Sequence, residues 1–444
     1  MSGAERLDWI AAPGRPVRGE IRVPGDKSIS HRAVMLAAIA DGVSRVGGFL
    51  EGEDTRATTA ILGRLGVRIE APSAGERVVQ GVGLHGLRES AQPLDCGNAG
   101  TGMRLLCGLL AGQGFESTLV GDASLSKRPM GRVIEPLTRM GASIRSSNGL
   151  PPLRIQAKNN LHSIDFETPV ASAQLKSAVL LAGLYAVGTT RVRERQPTRD
   201  YTESMLAAFG WPIRYQPGEA ELEGGHRLRA TDIAVPGDFS SAAFLLVAAS
   251  VVPGSDLLIR DVGINPRRTG LLAALRAMGA DIVEENPRRL GGEPAADLRV
   301  RHAPLHGIDV PPALVPDMID EFPVLFVAAT FAEGTTTVRD AAELRVKESD
   351  RLAGMASALR TLGVAVDESP DGAAIHGLGT KGRLRGGRID SLGDHRLAMA
   401  FAVAAQRADG EVAIDDCANV ATSFPGFIEL AAAVGIGLEP APTP

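Results

Sequence analysis

Lysine, arginine and hydroxyl side chains recur at the starts of apolar, Ala/Leu-rich stretches along this 444-residue chain. Lys27, Ser28 and Arg32 open the first such stretch, and Asn98, Gly100, Thr101 and Arg104 the second. Ser172, Gln174 and Lys176 open another, Asp320 and Glu321 a later one, and Asp394, His395 and Arg396 the last. If these stretches are helices, unpaired backbone N–H groups point out of their starts, and each start is a ready site for an anion. Taken alone, each is equally an ordinary capped helix. Together they supply cations and hydroxyls suited to phosphate or carboxylate. Two further clusters add to them. SLSKRPMGRVIEPL sets Lys127 and Arg128 before a proline that is expected to start a helix. ELRVKESDRL offers Arg345, Lys347, Glu348 and Arg351, with Lys347 and Arg351 expected on one helix face. That string reads either as a solvated, salt-bridged helix or as an arginine clamp on an oxyanion.

The elements that must position these groups follow from a repeat. PGDKSISHRAVMLAAIADG from Pro24 and PGDFSSAAFLLVAASVVPG from Pro236 share Pro-Gly-Asp, a serine and an apolar run ending at glycine. Four related stretches begin at Gly97, Ala171, Asp317 and Gly393. After each comes a β-like stretch, such as TTTVRD at Thr335, and then a second helix that closes on Leu or Met and Gly, or close to it. The glycine suits a left-handed C-terminal cap, and the strand that follows alternates. The unit is expected to be βαβαββ, present six times and divided three and three. Two similar α/β domains are expected, 24–235 and 1–23 plus 236–444, with the N-terminal strand pairing in the C-terminal half. A cleft between two such domains is a usual place for a ligand.

Composition narrows the function. Hydrophobic residues are 44 % and charged residues 22 %, with net charge −5, an ordinary globular balance and not the basic, aromatic-bearing composition of a nucleic-acid binder. No run reaches the roughly 18 apolar residues of a membrane span, and the N-terminus lacks a signal-peptide core. Neither nucleic acid nor membrane is therefore expected as a partner. Three cysteines without CxxC spacing point to a reducing, cytoplasmic compartment. The eight histidines are scattered along the chain, and no metal is expected. Two GxGxxG strings, Gly81–Gly86 and Gly377–Gly382, open no helix and read as turns.

Several of these strings are long and specific. PGDKSISHRA, GNAGTGMR, GDASLSKRPMGRVIEPL, SAQLKSAVLLAGL, TRDYTESML, MIDEFP, LRVKESDRL and GDHRLAMAF together resemble the EPSP synthases (3-phosphoshikimate 1-carboxyvinyltransferases) from about Pro24 to about Phe427. The resemblance implies an inside-out α/β barrel of two domains that close over shikimate 3-phosphate and phosphoenolpyruvate. It also implies that no metal or organic cofactor takes part. A monomer is expected.

Residue by residue, the resemblance implies that Lys27, Ser28 and Arg32 hold shikimate 3-phosphate, with Lys27 also toward phosphoenolpyruvate. Gly100 and Arg128 would meet phosphoenolpyruvate. Ser172, Ala173 and Gln174 match the family's substrate-binding Ser-x-Gln stretch, with Gln174 reaching both ligands, and Arg199 falls where some members cover the shikimate ring. Asp320 matches the acceptor of the hydroxyl proton, Glu348 the group that protonates the methylene carbon, and Lys347, Arg351 and Arg396 the rest of the clamp. Two departures stand out. Ala173 replaces a serine and Thr422 a lysine found in some members, which resembles a divergent bacterial branch. Glyphosate-tolerant members of that branch often carry Ala where this chain has Gly100, so Gly100 is expected to leave room for the inhibitor. The related UDP-N-acetylglucosamine enolpyruvyl transferases usually carry Lys-Asn and a loop cysteine. Here Ser28 follows Lys27, and SLSKRPMGR has no cysteine. A non-catalytic phosphosugar-binding protein on the same scaffold is the reading from another class, and intact Lys27, Asp320, Glu348 and Arg396 argue against it.

Overall fold

The computed structural model describes residues 7–157 and 160–442. They form two compact units, one of 25–236 with 289–293 and the other of 7–24, 237–288 and 294–442. The first unit contains α1 (Lys27–Ala38), α2 (Glu53–Arg64), α3 (Gly100–Ala111), α4 (Gly131–Arg139), α5 (Ala173–Gly183) and α6 (Tyr201–Ala208). The second contains α7 (Phe239–Val251), α8 (Gly270–Ala277), α9 (Phe322–Thr330), α10 (Arg351–Thr361), α11 (His395–Ala404) and α12 (Phe427–Ala433).

The odd-numbered helices α1, α3 and α5 run through the core of the first unit, and α7, α9 and α11 through that of the second; the sheets lie outside them. Every residue of α7, α9 and α11 is buried. In α1, α3 and α5 the positions that keep some exposure are Lys27, Ser28, Thr101, Arg104, Ala173 and Gln174, all in the first five residues of their helices. A helix apolar on every side must be packed on every side. Small residues permit the approach: a Cβ at Gly108 of α3 would stand 2.1 Å from the Ala178 carbonyl oxygen of α5.

One strand pattern recurs outside these helices. Asp165–Thr168 runs parallel to Thr189–Glu194, which pairs antiparallel with Glu219–Glu223, itself antiparallel to Ile213–Gln216. Leu94–Asp95, Ser117–Val120, Leu150–Ile155 and Ile144–Ser147 repeat that order. So do Ile233–Ala234, Asp41–Gly47, Glu76–Val82 and Arg68–Glu70, with the leading strand supplied by the end of the unit. In the second unit one leading strand is reduced to isolated bridges at His306 and Asp309. The N-terminal segment holds two strands, not one. Trp9–Ala12 lies between Val412–Asp415 and Gly437–Pro440, and Arg18–Arg22 runs parallel to Asp256–Gly263. It thereby supplies one strand to each of two different repeats.

The second helix of every repeat stops in the same way. Gly66, Gly141, Gly210, Gly279, Gly363 and Gly435 all have φ between +79° and +98°. The next residue's N–H closes back on the helix in all six, as from Val67 to the Leu62 carbonyl, the Schellman pattern. The two GxGxxG strings are turns, with Gly83 and Gly379 at positive φ. Gly81 and Gly377 leave space for a carbonyl of Ala40 and Ala332, which a Cβ would approach to 2.2 and 2.0 Å.

Two glycine replacements separate close packing from intrinsic propensity. Gly63 in α2 is exposed, and a Cβ there meets nothing within 4 Å. Gly63→Ala should stabilise by roughly 1 kcal/mol and raise the melting midpoint by about 2–4 °C. Gly108→Ala should lower it by about 2–12 °C, because the α3–α5 contact must open at a cost of roughly 1–3 kcal/mol. Scanning calorimetry of both variants checks the opposite signs.

Candidate active site

In the first unit the starts of α1, α3 and α5 lie side by side. Lys27 Nζ donates to Asp54 Oδ2 at 3.0 Å. Arg32, one turn further, is buried, and three of its N–H groups go to neutral acceptors: Thr202 Oγ1 at 2.8 Å, Ser177 Oγ at 2.8 Å and the Ser28 carbonyl at 2.9 Å. Burial pulls its pKa down to about 10, which still leaves it a cation at neutral pH. Arg104 donates to Gln174 Oε1 at 2.7 Å, and Gln174 Nε2 donates to Thr101 Oγ1 at 2.9 Å. Ser172 caps α5 through the Leu175 N–H at 3.4 Å, and Ala173 begins the helix. The charge of Arg199 bears on Arg32 and helps to lower it.

Arg128 belongs to the same group. Its Nη2 donates to Asn98 Oδ1 at 2.6 Å and to Ser124 Oγ at 3.3 Å. The expected helix start at its proline is displaced: Leu125–Lys127 form a 3-10 turn and α4 begins at Gly131. Gly100 sits under two guanidinium groups. A Cβ there would stand 3.1 Å from Arg128 Nη1 and 3.4 Å from Arg104 Nη1.

The second unit gathers the acids. Arg351, fully buried, donates to Glu348 Oε2 at 2.6 Å, to Asp394 Oδ2 at 2.8 Å and to Asp320 Oδ1 at 3.4 Å. Lys347 Nζ stands 3.7 Å from Asp320 Oδ1. Burial opposes the Arg351 charge, but Asp394, Glu348 and Asp320 outweigh it and raise its pKa. Burial alone would raise the Asp394 carboxyl. Arg351 outweighs that burial and holds it below the usual carboxylate range. Arg396 Nη1 donates to the Asp320 carbonyl at 2.9 Å and to Ser240 Oγ at 3.1 Å, and stands 3.3 Å from Glu321 Oε1. Arg268 grips both Glu321 oxygens at 2.8 Å.

Lys347 and Arg351 do not share a helix face. Ala342–Val346 is a 3-10 turn, Lys347 follows it in non-helical backbone, and Arg351 is the first residue of α10. Asp350 forces the break by capping α10, its side chain accepting from the Ala353 N–H at 3.0 Å. The two cations nevertheless meet at Asp320. Thr422 is buried, and its hydroxyl donates to the Asn419 carbonyl at 2.7 Å within its own 3-10 turn.

The residues to which the family resemblance assigned no role are mostly partners of those it did. Asp54 holds Lys27, Ser177 and Thr202 hold Arg32, Asp394 holds Arg351, Ser240 and Glu321 hold Arg396, and Arg268 in turn holds Glu321. His31 bonds Thr58 Oγ1 at 2.8 Å behind Lys27, and burial, then Lys27 and Arg32, push its pKa down to about 3. Thiol chemistry has no foothold, since burial raises Cys96 well above its ordinary value and pushes Cys107 up to about 12. Among the described residues no group of three or more His, Cys, Asp or Glu gathers for a metal, and no helix is long and apolar enough to cross a membrane.

A six-repeat α/β scaffold presenting cations, hydroxyls and guanidinium-held carboxyls at the starts of buried helices defines an enzyme for anionic small molecules. Sequence comparison makes the class specific. The family model of EPSP synthase (3-phosphoshikimate 1-carboxyvinyltransferase) matches residues 11–430, and the chain belongs to that family. It is 67 % identical over 434 residues to the 3-phosphoshikimate 1-carboxyvinyltransferase of Xanthomonas axonopodis pv. citri (strain 306), covering 98 % of each chain. The enzyme of the same name from Xanthomonas campestris pv. campestris (strain B100) is 66 % identical over 435 residues, again with 98 % of each covered. A solved EPSP synthase from Acinetobacter baumannii superposes with a TM-score of 0.89 at 48 % identity, covering 98 % of this chain and 100 % of that one.

Gly100→Ala would press a methyl on the Arg128 guanidinium. The inhibition constant for glyphosate should rise at least tenfold more than the KM for phosphoenolpyruvate. Steady-state inhibition assays check this; equal loss of both would refute it.

Proposed function

We propose that this chain moves the carboxyvinyl group of phosphoenolpyruvate to the 5-hydroxyl of shikimate 3-phosphate and releases phosphate, the step toward chorismate in the shikimate pathway. On this reading the first unit's cluster takes shikimate 3-phosphate: Lys27, Ser28, Arg32, Ser172, Ala173, Gln174 and Arg199 bind its phosphate and ring hydroxyls. Gly100, Arg128, Lys347, Arg351 and Arg396 bind the phosphate and carboxylate of phosphoenolpyruvate, with Lys27 and Gln174 shared. Each charge-assisted hydrogen bond contributes roughly 1.5–3 kcal/mol net.

The reaction is addition and then elimination. C2 of phosphoenolpyruvate becomes electrophilic when C3 takes a proton, and the 5-oxygen adds to C2 as its own proton leaves. A proton then departs from C3, the bond from C2 to the phosphate oxygen breaks, and phosphate carries off the electron pair. Glu348 is the proposed acid at C3 and Asp320 the proposed base at the hydroxyl. The observation that carries this assignment is Arg351, one guanidinium touching both carboxyls, Glu348 at 2.6 Å and Asp320 at 3.4 Å. Lys347 as a second cation at Asp320 suits a carboxylate that accepts a proton. The mechanism uses no cofactor, and the reading includes a cytoplasmic monomer, to which three buried free thiols are suited.

pH–rate profiles test the roles, with phosphate release as the readout. Asp320→Asn and Glu348→Gln should each lower kcat by about 10²–10⁴-fold. Each should also remove a different limb of the kcat profile, the acidic limb for Asp320 and the basic limb for Glu348. Changes confined to KM, or both limbs kept in either variant, would contradict the assignment.

A further inference from the structure

Lys176 lies in α5 one turn beyond Ser172 and is buried, its side chain 4 % exposed. Its Nζ stands 2.8 Å from Glu194 Oε2 and 2.8 Å from Glu203 Oε1, and donates to the Thr198 carbonyl at 3.4 Å. Both carboxyls are as deeply buried, at 1 % and 2 %. Glu194, at the end of its strand, also accepts from the Thr198 N–H at 3.2 Å and from the Thr198 hydroxyl. Thr202 and Ser177, the neighbours in sequence of Glu203 and Lys176, bond each other at 2.7 Å and both accept from Arg32. Burial opposes the Lys176 charge, and Glu203 and Glu194 outweigh it and raise its pKa.

Three charges taken out of water are weak evidence for stability, since desolvation offsets most of their attraction. What they provide is a fixed geometry. They join α5, whose start carries Ser172 and Gln174, to the segment 194–203, which carries Arg199 and the Arg32 acceptor Thr202. We infer that Lys176 is a positioning residue for shikimate 3-phosphate: through Glu194 and Glu203 it holds the Arg199 segment and the Arg32 side chain in register with the Ser172–Gln174 helix start. This rests on the substrate assignment proposed above. It concerns a residue whose ammonium is turned to two buried carboxyls and that the sequence reading treated only as a helix opener. The acids of the reaction are in the other unit, so the effect should fall on binding of one substrate and spare the chemical step.

The test compares wild type, Lys176→Arg, and the triple variant Lys176→Met/Glu194→Leu/Glu203→Leu, which replaces the three buried charged groups with apolar ones. A single Lys176→Met would leave two buried carboxyls facing each other and endanger folding, so the triple variant carries the argument, with circular dichroism and melting to establish that it folds. The expected result is a KM for shikimate 3-phosphate at least tenfold higher in the triple variant. The KM for phosphoenolpyruvate and kcat should stay within about threefold of wild type, and Lys176→Arg within about threefold on every parameter. A folded triple variant with an unchanged KM for shikimate 3-phosphate overturns the inference, as does an equal rise in both KM values. An inactive wild type would instead overturn the substrate assignment on which it rests.

Discussion

A helix buried on every side can do chemistry only at its ends, and that constraint governs each unit. Where α7, α9 and α11 are buried throughout, a polar side chain along their flanks would have to find a partner in the core or lose hydration without return. The flanks are therefore Ala, Leu, Val and Phe, and charge is confined to the first turn and the residues just before it. The helix starts gather because the repeats place their first helices in the same sense, side by side. The anion binding proposed for the helix starts would thus be a consequence of the packing, with Lys27, Arg32, Gln174 and Arg396 as further side-chain donors.

The two clusters handle buried charge differently. In the first unit the hydrogen bonds of Arg32 go to hydroxyls and a carbonyl, which suits a group meant to attract a phosphate. In the second unit Arg351 is shared by three carboxyls and Arg268 is closed on Glu321. There the cations fix acids in place. Arrangements of the second kind cost desolvation that attraction only partly returns, and they are expected where orientation matters more than stability.

Much of this architecture was legible in the residues because it repeats. Pro-Gly-Asp or its equivalent before an apolar run predicts a helix start, and Leu-Gly or Met-Gly predicts a left-handed stop; Gly66, Gly141, Gly279 and Gly363 have that form, and Gly210 after Phe209 and Gly435 after Val434 stop their helices in the same left-handed way. The candidate residues were readable as cations at those starts and as matches to a family. Their partners were not. Asp54 lies 27 positions from Lys27 and Thr202 lies 170 from Arg32, and no local pattern announces such pairs. The Lys347–Arg351 spacing misled because helical spacing needs a helix, and the Asp350 cap starts α10 only after Lys347. The N-terminal segment misled in its count, because a chain can lend successive strands to different sheets when each sheet lacks one.

The central claim is that Arg32 and the helix starts around it bind shikimate 3-phosphate, that Arg128 and the second unit's cations serve phosphoenolpyruvate, with Lys27 shared, and that the second unit's carboxyls make the proton transfers. Calorimetric titration of shikimate 3-phosphate alone into wild type, Arg32→Ala and Arg396→Ala tests it most directly, with circular dichroism confirming that each is folded. The account predicts at least a tenfold loss of affinity for Arg32→Ala, as expected for a lost charge-assisted contact of roughly 1.5–3 kcal/mol, and an affinity within about twofold of wild type for Arg396→Ala. Equal loss in both variants, or an unchanged affinity in Arg32→Ala, would contradict it.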